Sequence, residues 1–163
     1  MRESEILEKI RSSPGYPSRE RFIKGPVCVI ECPEEIPCDP CSQVCPFEAI
    51  DVGRPITNLP KLIEDRCTGC GLCITACPGL AIFVVNLNYS PGEASISMPY
   101  EFLPLPDVGQ QVEMLNREGS YVCKGRIVRV NEGEDHTRVV TVAVPKEFYE
   151  HARGIKLISG KVR

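Results

Sequence analysis

Cys67-Thr68-Gly69-Cys70-Gly71-Leu72-Cys73-Ile74-Thr75-Ala76-Cys77-Pro78 decides what the rest of the chain must be. Gaps of two, two and three residues separate its four thiols. Two-residue gaps let three side chains converge from one tight loop, while the fourth thiol leaves on the following helical turn. Gly69 and Gly71 let the backbone come close to whatever the thiols hold, and Pro78 fixes the chain's exit. Working outward, Cys77-Pro78-Gly79-Leu80-Ala81-Ile82 repeats Cys45-Pro46-Phe47-Glu48-Ala49-Ile50 at an offset of thirty-two positions. Two related halves are the simplest account. Upstream, Cys38, Cys41 and Cys45 match the second, third and fourth cysteines, but Glu35 stands where the first belongs. Cys32-Pro33-Glu34-Glu35-Ile36-Pro37-Cys38 therefore reads as a loop stretched by three residues, with Cys32 keeping the ligand role from further away. Cys28, inside the β-like run Val27 to Ile30, reads as a core thiol, with a ligand role as the alternative.

Nine of the ten cysteines in these 163 residues lie between Cys28 and Cys77. The first twenty residues carry Arg2, Glu3, Glu5, Glu8, Lys9 and Arg11 and no apolar stretch, which argues against a secretory leader and for a cytoplasmic location. The longest wholly apolar run, Leu80 to Val85, is too short for a membrane span. In a reducing compartment, cysteines this dense are metal ligands rather than disulfides, so metal replaces part of a hydrophobic core. A net charge of −3, no Trp and 6% aromatic residues lack the basic, aromatic-laced surface of a nucleic-acid binder. No Gly-x-Gly-x-x-Gly or Gly-x-Ser-x-Gly is present. His136 and His151 read as surface residues and Cys123 as a small buried hydrophobe in a strand, so no catalytic residue is expected.

Residues 27–88 resemble a bacterial-type ferredoxin with two [4Fe–4S] clusters, on seven cysteines that match position for position. The resemblance implies crossed ligation. One cluster takes Cys67, Cys70, Cys73 and Cys45; the other takes Cys38, Cys41, Cys77 and, across the stretched loop, Cys32. A [3Fe–4S] first cluster is the alternative. It also implies a pseudo-twofold pair of short hairpins with two small helices packed around the clusters. With every ligand position used, the implied role is electron relay rather than catalysis. Eight acidic residues against Arg54, Lys61 and Arg66 in this segment suit docking to a basic surface on a redox partner.

The expected fold class is α+β, in three parts. Residues 1–26 form an N-terminal extension whose short helix, capped by Ser4, carries Ile6, Leu7 and Ile10 and stops at Ser13-Pro14-Gly15. Residues 27–88 form the iron–sulfur domain. Residues 89–163 form a small antiparallel β domain, with strands near 95–98, 111–117, 120–130 and 137–145, a short helix over 146–152 and a final strand or tail at 155–158. The whole arrangement resembles the small ferredoxin-like subunit of a multi-subunit flavin-dependent amino-acid dehydrogenase or opine-oxidase-like complex, which implies a flavoprotein or other oxidoreductase partner in a hetero-oligomer. The competing readings are a stand-alone ferredoxin, an enzyme subunit whose β domain binds substrate, and a zinc-stabilised interaction module. Against zinc, its sites use paired C-x2-C knuckles rather than three converging cysteines with a Cys-Pro tail.

Overall fold

The computed structural model describes residues 2–132 and 137–158, so His136 lies outside the described residues. The chain opens with α1 (Glu3–Arg11), whose Leu7 and Ile10 are buried as expected. Its cap is not Ser4, which lies within the first turn. The amide of Arg2 donates to the Glu5 carboxylate at 2.8 Å, and this reach-back starts the helix earlier. A second helix, α2 (Arg19–Ile23), begins at Ser18, whose hydroxyl accepts from the Arg21 amide at 3.2 Å.

The cysteine-rich segment follows as β1 (Val27–Ile30), α3 (Pro40–Val44), β2 (Ile50–Asp51), β3 (Lys61–Leu62), α4 (Leu72–Ala76) and β4 (Ile82–Asn86). β1 pairs antiparallel with β4, and β2 with β3, so the segment holds two short strand pairs and two small helices, but β1 and β4 come from its opposite ends and are not the hairpin expected. The remaining strands are β5 (Glu93–Tyr100), β6 (Gln111–Leu115), β7 (Tyr121–Glu132), β8 (Arg138–Pro145) and β9 (Gly154–Leu157). Seven strands form one antiparallel sheet in the order β1-β4-β5-β8-β7-β6-β9. β4 is the hinge of this order, because Val84, Val85 and Asn86 also pair with Ser97, Ile96 and Ser95 of β5. The cysteine-bearing segment and the C-terminal strands therefore share one sheet.

The core lies on the face carrying Val85, Ile96, Val142 and Ile127, which are register neighbours across four strands and almost fully buried. β7 alternates inward Cys123, Gly125 and Ile127 with outward residues, as a half-buried strand should, until its register shifts between Ile127 and Arg129. The helix expected over 146–152 is a single 3₁₀ turn, Lys146–Phe148. Arg153 closes this segment: its guanidinium takes the carbonyls of Tyr149 and Ala152, both at 2.7 Å, which have no backbone partner at a helical end.

The N-terminal residues are built into the molecule. The Pro14 carbonyl accepts from the Leu62 amide at 3.0 Å and the Gly15 carbonyl from the Ile30 amide at 3.1 Å, so one short segment ties both strand pairs together. A buried charge cluster adds a second tie. Arg117 donates to both oxygens of Glu31, at 2.6 and 2.9 Å, and to Glu3 at 2.6 Å, while Arg153 donates to Glu31 at 2.7 Å. Burial opposes the charge on Glu31, but Arg153 and Arg117 outweigh it and hold the carboxyl below its ordinary value.

Candidate metal centre

Two turns of matching geometry carry the cysteines that end each half. α3 stops at Cys45 (φ −70°, ψ 111°) and α4 at Cys77 (φ −74°, ψ 112°). Glu48 and Leu80, three residues on, take left-handed φ values of 50° and 53°, and their amides donate to the Cys45 and Cys77 carbonyls at 3.3 Å. The next amides, Ala49 and Ala81, donate to the Sγ of Cys45 and of Cys77, each at 3.4 Å. Each turn thus aims one N–H at one sulfur and points that sulfur away from its own helix.

The sulfurs border two cavities. The first, about 320 Å³ including its open mouth, is lined by Cys45, Cys67, Cys70 and Cys73. The second, about 380 Å³, is lined by Cys32, Cys38, Cys41 and Cys77. All eight cysteines singled out in the sequence border a cavity, four to each, with the last cysteine of each half facing the other half's loop. Cys28 is buried in β1 opposite Val84 and lines the first cavity, not the second. Its amide donates to the Cys67 Sγ at 3.3 Å, and its Sγ lies 3.5 Å from that of Cys73. Contact with Cys73 and complete burial keep the proton on Cys28, and the resulting S–H bond lowers Cys73. Cys123 is buried in β7, away from both cavities.

The donor set suits a multi-atom group. Among the described residues no three Cys, His, Asp or Glu side chains are placed to share one metal ion, so the thiols stand around voids rather than meeting at a point. Backbone N–H groups are aimed at the sulfurs of Cys45, Cys67 and Cys77. Burial first, and then the neighbouring Cys77, Cys73 and Cys38, push the Cys41 thiol up to about 11, so ionising it calls for a cationic partner. Gly69, at φ 72°, brings the first loop hard against Pro26: a Cβ there would lie 2.6 Å from the Pro26 Cβ. Behind that loop is a feature the sequence did not announce. Arg21, only 8% exposed, donates to the Cys67 carbonyl at 2.8 Å. The Ser18 cap could have placed Arg21 in a first helical turn, but nothing in the local pattern marks it as buried. Beside Cys70, the one exposed thiol, opens a cleft of about 1350 Å³, its open mouth included, between α4 and the outer face of the sheet, bordered by Val44, Leu72, Ser97, Arg129 and Val139.

Residues 60–83 match the family model of the 4Fe-4S binding domain, from β3 through the Cys67 loop and α4 into β4. The chain carries an iron–sulfur, electron-transfer domain of ferredoxin type. Its relatives are more specific. It is 36% identical over 70 residues to an uncharacterized ferredoxin of Methanocaldococcus jannaschii, covering 42% of each chain. It is 50% identical over 38 residues to one component of the Na(+)-translocating ferredoxin:NAD(+) oxidoreductase complex of Acetobacterium woodii, covering 23% of this chain and 11% of that one. It is 31% identical over 129 residues to one component of the ferredoxin:CoB-CoM heterodisulfide reductase of Methanosarcina mazei, covering 59% of this chain and 16% of that one. The chain thus spans less than half the length of these curated relatives. No solved structure matches it. No described helix is long and apolar enough to cross a membrane.

Proposed function

We propose that this chain is an electron-relay subunit holding two [4Fe–4S] clusters, one by Cys45, Cys67, Cys70 and Cys73 and the other by Cys32, Cys38, Cys41 and Cys77. The observation that supports this reading is the division of eight thiols, four to a cavity, with Cys45 and Cys77 crossing between halves. A cluster, when bound, supplies a site that stores and releases one electron at a time. The chain's own residues shape that site: the turns at Cys45 and Cys77 orient sulfur, and the buried Ile50, Ile30 and Ile82 at the cavity walls exclude water. Cys70 marks the exit, because it is the exposed thiol and the adjacent cleft admits a partner. That two of the relatives are named as parts of oxidoreductase complexes favours a hetero-oligomer here. A flavoprotein is the partner we assign, from the resemblance of the whole arrangement to small subunits of flavin-dependent complexes.

Protein purified without oxygen should be brown, contain iron and sulfide in equal amounts sufficient for two cubanes, and bleach with dithionite. Cys70→Ala should lose about half the iron, whereas Cys123→Ala should lose none. Zinc without sulfide, or a colourless protein, would refute the relay. Purification from the native cell identifies the large subunit, and a flavin spectrum in the complex tests the partner.

A further inference from the structure

The geometry points to Arg21 as the built-in counter-charge of the cluster held by Cys67, and so as the residue that sets that cluster apart in reduction potential. This inference rests on the two-cluster reading. Arg21 sits on α2, and four of its five N–H donors are used. Nε donates to the Glu64 carbonyl at 3.1 Å, Nη1 to the Gly25 carbonyl at 3.2 Å, and Nη2 to the Pro26 and Cys67 carbonyls at 2.9 and 2.8 Å. All four acceptors are backbone carbonyls. Among the described residues no carboxylate lies within ion-pairing distance of Arg21, unlike Arg117 and Arg153 in the other buried cluster. Glu64, the acid nearest in the sequence to these acceptors, turns its carboxylate to the amide and hydroxyl of Ser18 instead.

Carbonyl dipoles satisfy hydrogen bonds but leave a full positive charge in a low-dielectric interior, which is unfavourable for an uncompensated ion. Such a charge persists where something anionic stands close by. A cubane with four thiolates carries a net charge of about −2 and gains another negative charge on reduction. Arg21 lies directly behind its loop, bonded to Cys67 itself and to Pro26, against which Gly69 is packed. A fixed cation there favours the more negative, reduced form and so raises the potential. Among the described residues, Arg21 is the buried Arg or Lys bonded to a ligand-loop carbonyl, and none donates to the carbonyls of Cys32, Cys38, Cys41 or Cys77. The two clusters therefore differ, with the one beside Arg21 the easier to reduce.

The test is a redox titration followed by electron spin resonance on the full, iron-loaded protein and on Arg21→Met and Arg21→Lys. Arg21→Met should make the Cys67 cluster at least tenfold harder to reduce, a negative shift of about 59 mV, and move the other cluster less. Arg21→Lys keeps the charge while losing hydrogen bonds, and should stay near the wild-type value. The difference should persist at high salt, because a buried pair is little screened. Equal shifts in Met and Lys variants, no shift in either, or an equal shift in both clusters overturns the inference. Where Arg21→Met does not assemble its clusters, iron release to a chelator decides between Arg21→Lys and Arg21→Gln. Slower release from Lys supports a charge role, and equal release overturns it. Absence of iron and sulfide from the wild type would instead bring down the two-cluster reading itself.

Discussion

Cys28 and Cys32 lie four positions apart yet border different cavities, because β1 holds Cys28 opposite Val84 while the chain has left the strand by Cys32. Reach does not limit Cys32, since the residues between it and Cys38 span up to roughly 3.3 Å each when extended. Cys32→Ser should therefore remove about one iron, leaving a three-iron signal in electron spin resonance, or empty the second cavity altogether. Cys28→Ser should keep the iron of that second cavity intact; iron analysis with spin resonance separates them, and the reverse pattern would move the ligand to Cys28. Spacing makes Cys38, Cys41, Cys45, Cys67, Cys70, Cys73 and Cys77 legible as a set, because ligand loops obey short-range geometry. That Cys28 touches Cys67 and Cys73 is not legible, since alternation along a strand gives the side a residue faces and not what waits there from forty residues away.

Strands are easier to read than helices in this chain. β5 to β8 announce themselves through alternation and turn residues, whereas α2 is only five residues long, too short for a periodic stripe, and the residues after Pro145 read as a longer helix yet form only the turn Lys146–Phe148. β7 contains a glycine with no room for a side chain. A Cβ on Gly125 would lie 2.6 Å from Val142 Cγ1 and 2.9 Å from Met114 Sδ, so these two side chains fill the space a Cβ would take. Gly125→Ala should cost about 1–3 kcal/mol of overpacking, read by denaturant unfolding of the loaded protein. Gly92→Ala, in the turn before β5 with open space around it, should change stability by less than about 0.5 kcal/mol.

At the level of the whole molecule, the Glu31 cluster joins three stretches that the sequence presents as separate: Glu3 from α1, Glu31 at the end of β1, and Arg117 with Arg153 from the C-terminal strands. Glu31→Gln leaves two buried guanidinium groups short of a carboxylate, and should cost about 3–5 kcal/mol. Because Glu31 titrates below its ordinary value when folded, its contribution is present above the unfolded carboxyl range and is lost as pH falls. The gap in stability between wild type and Glu31→Gln should thus be constant near neutrality and narrow below about pH 4.5; a gap independent of pH in acid would show that Gln costs packing rather than charge. β1 carries a further consequence. It is the outermost strand of the sheet, and its two outward amides are both used, Cys28 by the Cys67 sulfur and Ile30 by the Gly15 carbonyl. A strand closed in this way offers no template to a neighbouring molecule. On the proposed ligation one of its two locks is a sulfur held by a cluster, so iron loss should free an amide on a Val-Cys-Val-Ile strand, and clumping of the depleted protein should accompany its bleaching.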